Sequence, residues 1–324
     1  MSLIEQAARR LEELRRAGAD LPEPKPSNSA PLRANGEVPT PEAFVEAFEQ
    51  RGEHLAPRPS EAKARTAPTA RADAWGVPPS GPFVELNLAK MRTQGFVTPD
   101  APTSRMADEF RVVKRPIIKN AIGQGEERVR HGNLIMVTSA LPGEGKTFTS
   151  INLAMSVAME YDSRVLLVDG DVAHPSLPGI LDTPHSPGLL DLLTRDDIDV
   201  GDALVKTNVD RLTLLPAGSR QRRSTELLAS EQMASLLREL ASRYPDRIII
   251  FDSPPLLATT EARVLATHMG QIVMVVAADS TSHHALNQAL ATIESCDIVL
   301  MLLNKASRTD VGTYYGYYGN ENAS

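Results

Sequence analysis

Lys146 and Thr147 carry the first recognisable chemistry in this chain. They follow Gly143 and Gly145 in "SALPGEGKTFTSINLAMSVA", after an apolar run and before a stretch of helical spacing. A glycine-rich turn between strand and helix can aim its backbone N–H groups at a phosphate chain, and the helix adds its positive N-terminal end. In a Walker A loop of this kind, Lys146 neutralises β- and γ-phosphate charge and the Thr147 hydroxyl ligates Mg²⁺. The expected cradle is Gly143, Glu144, Gly145, Lys146, Thr147 and Phe148, and the expected cofactors are ATP and Mg²⁺. Ala140 stands where the pattern G-x-x-x-x-G-K-[ST] has its first glycine. Alanine fits that position if its φ is negative.

Two further apolar runs end in acid. "RVLLVDGD" places Asp169 and Asp171 at its end, and "RIIIFDSPP" places Asp252. In an open parallel sheet the ligand lies beyond the carboxyl ends of the strands, so all three carboxylates are expected on the rim that carries the phosphate loop. A carboxylate after so apolar a run needs a cation or solvent. Mg²⁺ supplies the cation, with Asp252 in the Walker B role. Thr147, Asp171 and Asp252 are the expected metal residues. The pair Asp169/Asp171 exceeds what nucleotide binding needs. It gives one carboxylate for the metal and one that could accept a proton from an incoming hydroxyl.

The elements that must hold these residues can be read from the same pattern. β-Branched runs recur at 134–139, 164–170, 211–218, 247–253, 271–278 and 298–304. Helical stretches separate most of them, including 146–160, 225–243 and 283–295. Runs that are continuously apolar, rather than alternating, imply burial on both faces. The expected fold is α/β, a P-loop NTPase-type, mostly parallel sheet flanked by helices. "MADEFRVVKRPIIKNA" reads as a helix interrupted near Pro116.

The first hundred residues differ in texture. Fourteen of the 24 prolines fall before residue 103, which predicts a largely disordered region. Two islands, 2–17 and 41–50, have helical spacing and read equally as solvated helices or as docking helices for a partner. The expected division is 1–104 Pro-rich, 105–311 P-loop domain and 312–324 tyrosine-cluster tail.

Composition narrows the function classes. A hydrophobic share of 42% suffices for a core, and a net charge of −7 argues against a nucleic-acid partner. The single cysteine, Cys296, excludes a disulfide framework and reads as a small core residue. No run approaches the ~18 apolar residues of a membrane span, and the charged start "MSLIEQAARRLEELRRAG" does not resemble a secretory signal. The expected location is the cytoplasm, with any membrane work done through a partner.

Walker A, a D-x-D strand end, "DSPP" and then "TYYGYYG" occur in that order. This order resembles the bacterial tyrosine kinases (BY-kinases) of polysaccharide loci over roughly residues 105–324. The opening segment, "DEFRVVKRP" and the tail are most similar to the tyrosine autokinases found beside exosortase systems. The resemblance implies an ATP-dependent protein-tyrosine kinase that phosphorylates its own tail in trans within a homo-oligomeric ring. It implies activation by a membrane-embedded chain-length co-polymerase, which recruits it to the inner face of the membrane, reversal by a phosphotyrosine phosphatase, and regulation of exopolysaccharide polymerisation or export. By motif position it implies catalytic roles for Lys146, Asp169 and Asp171, with Tyr314, Tyr315, Tyr317 and Tyr318 as phosphoacceptors.

The departures are specific. Ala173 stands at the family's Arg position, with His174 beside it. The ring motif E-x-x-R-x-x-R appears as Asp108, Arg111 and Lys114, with Glu109 and Arg115 adjacent. Glu261-Ala262 replaces Asp-Ala. The alternative is a non-kinase P-loop ATPase of the partitioning and septum-site type. It expects a second lysine where Leu141 stands and has no use for a tyrosine tail. Asn304 and Lys305 could lie near the base. "SRQRRS" at 219–224 reads either as a solvated loop or as a docking patch for a phosphorylated or acidic segment. "HHAL" at 283–286 reads as helix surface.

Overall fold

The computed structural model describes residues 81–123, 129–184, 186–243 and 247–307. The expected helices at 2–17 and 41–50 and the four tail tyrosines lie outside them. Eight strands form one sheet: β1 (Phe83–Val84), β2 (Leu134–Ser139), β3 (Arg164–Asp169), β4 (Val205–Thr207), β5 (Leu212–Leu215), β6 (Arg247–Asp252), β7 (Gln271–Ala277) and β8 (Val299–Asn304). The helices are α1 (Leu88–Thr93), α2 (Arg105–Ile122), α3 (Lys146–Ala158), α4 (Leu177–Leu181), α5 (Leu189–Leu192), α6 (Val200–Ala203), α7 (Ser224–Leu228), α8 (Glu231–Arg243), α9 (Thr260–Ala266) and α10 (His283–Leu290). The strand order is β1-β4-β5-β3-β6-β2-β7-β8, parallel throughout except for β4 against β5.

The central strands alternate between two cores rather than between core and water. Leu134 and Met136 of β2, Leu166 and Val168 of β3, and Ile249 and Phe251 of β6 join one core with α8, α9 and α10. Their neighbours Ile135, Val137, Val165, Leu167, Ile248 and Ile250 join the other with α1, α2 and α3. This is why the sequence shows continuous apolar runs. The expected α/β architecture is observed.

Residues 83–104, assigned by composition to the Pro-rich region, lie in this sheet and core. Phe83 pairs with Lys206 of β4, and the Asn208 side chain brackets Leu86 by accepting from its N–H at 2.9 Å and donating to its carbonyl at 3.1 Å. Val84, Leu86, Met91, Phe96 and Val97 are buried. Their apolar positions are scattered among polar residues and bracketed by Pro82 and Pro99, so no helix-length periodic run marked them. The folded unit therefore reaches back beyond residue 105.

Helix α2 is continuous through Pro116, contrary to the expected interruption. Pro116 and Val112 both face solvent, so the Val112 carbonyl that proline leaves unpaired can be hydrated. The expected helix at 225–243 is two helices, α7 and α8, joined at Ala229–Ser230. Strands β1 and β4 are too short to show a period. Cys296 is buried in the first core, and His283 and His284 lie on an exposed helix surface, as expected.

Candidate active site

The phosphate loop runs from the end of β2 to α3. Its two glycines are both left-handed, Gly143 with φ 81° and Gly145 with φ 100°. Gly145 is doubly constrained, because a Cβ there would sit 2.0 Å from Asn304 Nδ2. Gly145 is also the N-cap of α3 and offers no side-chain cap, whereas α2, α9 and α10 begin with Ser104, Thr259 and Ser282 accepting from their first turns. The first-turn N–H groups of α3 are thus left for a ligand. Ala140 is buried and does not have positive φ, which is why it can replace the expected glycine.

Two of the expected cradle residues turn their side chains elsewhere. The buried Glu144 carboxylate accepts from the Leu141 N–H at 2.8 Å and from the Thr281 hydroxyl. The Phe148 ring packs against Phe96 at 5.1 Å between centroids. Both residues can serve a phosphate only through the backbone.

The loop is pinned by residues from the far end of the chain. Asn304 Nδ2 donates to the Glu144 carbonyl at 2.9 Å, and Lys305 Nζ donates to the Gly143 carbonyl at 2.7 Å. Lys305 itself has φ 59°. Sequence reasoning left Asn304 and Lys305 unassigned, and missed Thr281. No local signal places residues some 160 positions away against a loop. Beside them a cleft of about 700 Å³ is lined by Arg105, Met106, Phe110, Phe148, Leu302 and Asn304, among others.

The three strand-end acids meet where the topology predicts. Asp169 and Asp252 are direct register partners on neighbouring strands β3 and β6, and both are buried. Asp169 Oδ2 accepts from the Leu177 N–H at 3.2 Å, and Asp252 Oδ1 accepts from the Ser150 hydroxyl at 3.0 Å. Their other oxygens, Asp169 Oδ1 and Asp252 Oδ2, are buried without a well-formed hydrogen bond, the Asp171 N–H and the Thr147 hydroxyl lying near the two carboxylates. Burial, then the facing Asp252 charge, raises the Asp169 pKa to about 8. Burial raises Asp252 to about 6, against the pull of the Thr147 and Ser150 hydroxyls and of Lys146. The Thr147 hydroxyl is near this carboxylate, but its hydrogen-bond distance is to Ser176 Oγ, at 3.1 Å.

Asp171 is half-buried and burial also raises its pKa. Its Oδ1 accepts from the His174 backbone N–H at 3.1 Å. His174 thus serves Asp171 through its backbone N–H, and its exposed imidazole lies close enough to act on the Asp171 charge.

The orphaned buried Asp252 oxygen, the half-buried Asp171 carboxylate and the Thr147 hydroxyl form a hard, oxygen-only donor set of the kind Mg²⁺ takes. Among the described residues no three acidic, histidine or cysteine side chains converge enough to hold a cation by themselves. This fits Mg²⁺, which arrives with nucleotide phosphates and a few protein oxygens. Asp252 and Thr147, with Asp171, fit that role. When bound, the metal would supply charge neutralisation on the phosphates.

The expected ring face is only partly present. Arg111 pairs with Asp108 and donates to the Pro102 carbonyl at 2.8 Å, on the exposed side of α2. Lys114 is instead buried at 4% exposure, donating to the Ser156 carbonyl at 2.6 Å and pairing with Glu160 at 2.8 Å. It joins α2 to the phosphate-loop helix α3 and its C-terminal end. The three-residue spacing carries Lys114 round to the inner face. Leu141 is 39% exposed at the loop.

Comparison with known proteins agrees with this geometry. Residues 132–303 match a family described as AAA domain. The tyrosine-protein kinase YwqD of Bacillus subtilis (strain 168) is 28% identical over 236 residues, covering 72% of this chain and 95% of that protein. The tyrosine-protein kinase CpsD of Streptococcus agalactiae is 29% identical over 195 residues, covering 59% and 83%. The crystal structure of the VpsO kinase domain superposes with a TM-score of 0.51 at 27% identity, over 63% of this chain and all of that one. The chain belongs to the AAA-domain family and, within it, to the bacterial tyrosine kinases.

Proposed function

We propose that this chain is an ATP-dependent protein-tyrosine kinase whose substrates include its own C-terminal tyrosines. The observation that carries this reading is the buried pair Asp169/Asp252, each with one unpartnered oxygen, at the strand ends beside the Lys146–Thr147 loop. A simple nucleotide site would need only Asp252.

The roles follow from chemistry. The first-turn N–H groups of α3 and Lys146 hold the nucleotide phosphates. Thr147, Asp171 and Asp252 hold Mg²⁺. The cleft beside Phe148 and Asn304 is large enough to admit an adenine base. A phenol with a pKa near 10 is a weak nucleophile at neutral pH. Asp169, held near 8 in the ligand-free site, lies in the range that suits a general base at neutral pH. It accepts or orients the tyrosine proton as the phosphoryl group transfers.

Finer features belong to the same reading. Tyr314, Tyr315, Tyr317 and Tyr318 are the acceptors, presented in trans. The exposed Asp108, Arg111 and Arg115 of α2 contribute to a ring. A membrane co-polymerase activates and recruits the kinase, a phosphatase resets it, and the cycle regulates exopolysaccharide export. No described helix is long and apolar enough to cross a membrane, consistent with recruitment through a partner. The test is anti-phosphotyrosine blotting of protein purified from cells. Signal on the wild type that Lys146→Met loses supports kinase activity. Equal signal on both contradicts it.

A further inference from the structure

The loop that follows β5 has a construction that nucleotide binding and phosphoryl transfer do not use. Leu215, the last residue of β5, is in register with Val168, one residue before Asp169. The loop therefore leaves the sheet on the catalytic rim, one strand from Asp169. Both of its ends are pinned. The Leu189 and Leu190 N–H groups donate to the Pro216 and Ala217 carbonyls at 2.8 and 3.0 Å. The Ser219 N–H donates to the buried Asp191 at 2.9 Å. At the other end the Ser224 and Thr225 hydroxyls donate to Glu261 Oε1 at 3.3 and 2.8 Å. Glu261 is close enough to Asp171 to act on its charge.

Between these anchors the loop presents Arg220, Arg222 and Arg223 to solvent. None of the three guanidinium groups makes a hydrogen bond or ion pair with any described residue. Four other exposed arginines are engaged, Arg92 with Asp100, Arg105 with Glu109, Arg111 with Asp108 and Arg195 with Asp197, while the exposed Arg115 and Arg130 stand singly, not three within four residues. Three guanidinium groups within four residues repel one another unless an anion sits among them. A doubly charged phosphate accepts from such forks in pairs.

We propose that residues 219–223 dock a phosphotyrosine in the tail of a second copy of this chain, holding it so that a neighbouring tyrosine reaches Asp169. The proposal rests on the kinase reading above and adds an order to it. The unmodified segment 308–324 carries only Arg308, Asp310 and Glu321 as charges, so it is close to neutral. Each phosphate adds about −1.5 to −2 charges, so the loop distinguishes a tail that has reacted once from one that has not. Tyr314 and Tyr318 are four residues apart, ~13 Å when extended. That separation spans from the end of β3 to a loop leaving the adjacent strand, ~5 Å away in the sheet. Later transfers are then faster than the first.

The test is fluorescence anisotropy with a labelled peptide of residues 308–320, unmodified or phosphorylated at Tyr318. The protein is the full chain carrying Lys146→Met, which blocks turnover. The phosphopeptide should bind about tenfold or more tightly than the unmodified peptide, as expected for charge-assisted hydrogen bonds. Arg220→Gln/Arg222→Gln/Arg223→Gln should reduce that preference to below twofold with an unchanged melting temperature. The corresponding triple Lys variant should keep part of it. Equal binding of the two peptides by the parent protein overturns the proposal, as does a preference that survives in the Gln variant. Binding to phosphatidylserine vesicles that depends on the arginines, without a phosphopeptide preference, also overturns it in favour of a membrane contact. ATP-dependent labelling of the chain with Lys146 intact separates the two claims. Labelling without preference sinks the docking site alone, and preference without labelling sinks the kinase reading and the presentation to Asp169, leaving only phosphotyrosine binding by the loop.

Discussion

Two buried charged sites lie on either side of α3, and they are finished differently. On one side Lys114 is enclosed between α2 and α3 with a carbonyl and a carboxylate as partners. On the other, Asp169 and Asp252 face each other across β3 and β6 with one oxygen apiece unpartnered. Burial makes any charge costly unless its hydrogen-bonding capacity is met. Lys114 has its partners within the chain, so it fastens helices. The aspartates lack theirs, and two like charges side by side oppose folding until a cation or proton arrives. Completeness of partnering, rather than burial or charge, separates the residue that holds the fold from those that await a ligand.

Breaking the unfinished site should have the largest effect. Asp252→Asn is expected to lower phosphoryl transfer ~10²- to 10³-fold, the scale of one lost electrostatic contact in a transition state, measured as initial rate of ATP consumption. Filling the site should come next. ATP with Mg²⁺ at about 100 times its dissociation constant should stabilise the fold by about 2.7 kcal/mol, read as a rise in melting temperature that EDTA reverses. A melting temperature that does not move would remove the metal role of Asp252 and Thr147.

Breaking the finished site should cost somewhat less. Lys114→Ala leaves the Ser156 carbonyl and Glu160 without their partner and is expected to destabilise by about 1–3 kcal/mol in urea denaturation. Activity per folded molecule should remain near wild type. A further effect is in pH dependence. With folded pKa values of about 8 for Asp169 and about 6 for Asp252, the folded protein binds more protons than the unfolded chain above about pH 4. Stability of the nucleotide-free protein should therefore be fullest below about pH 4, as far as these groups are concerned, and fall as pH rises towards 8. Asp169→Asn should flatten that slope, and melting curves across pH would show it.

The same contrast explains what the sequence revealed. Asp169, Asp171 and Asp252 were legible because each ends an apolar run, and the parallel sheet sends all such ends to one rim. Lys146 and Thr147 were legible because their spacing is local. Lys114 was misplaced because charge spacing along α2 does not say which face turns inward. Asn304, Lys305 and Thr281 were not assigned because they reach the loop through the fold, after β7 and at the end of β8. Residues 83–104 were missed because their buried positions are few and irregularly spaced between flanking prolines, held by side chains such as Asn208 and Asn152 from distant elements. The Asn152 side chain accepts from the Val97 N–H at 2.6 Å, which ties that segment to the phosphate-loop helix.

The most direct measurement is incorporation of labelled phosphate from ATP into tyrosine, compared across wild type, Asp169→Asn and Lys114→Met. The account predicts that Asp169→Asn loses labelling by ~10²-fold or more while its melting temperature does not fall. It predicts that Lys114→Met labels at near the wild-type rate while melting lower. Wild-type labelling by Asp169→Asn, or loss of labelling in a fully folded Lys114→Met, would contradict it.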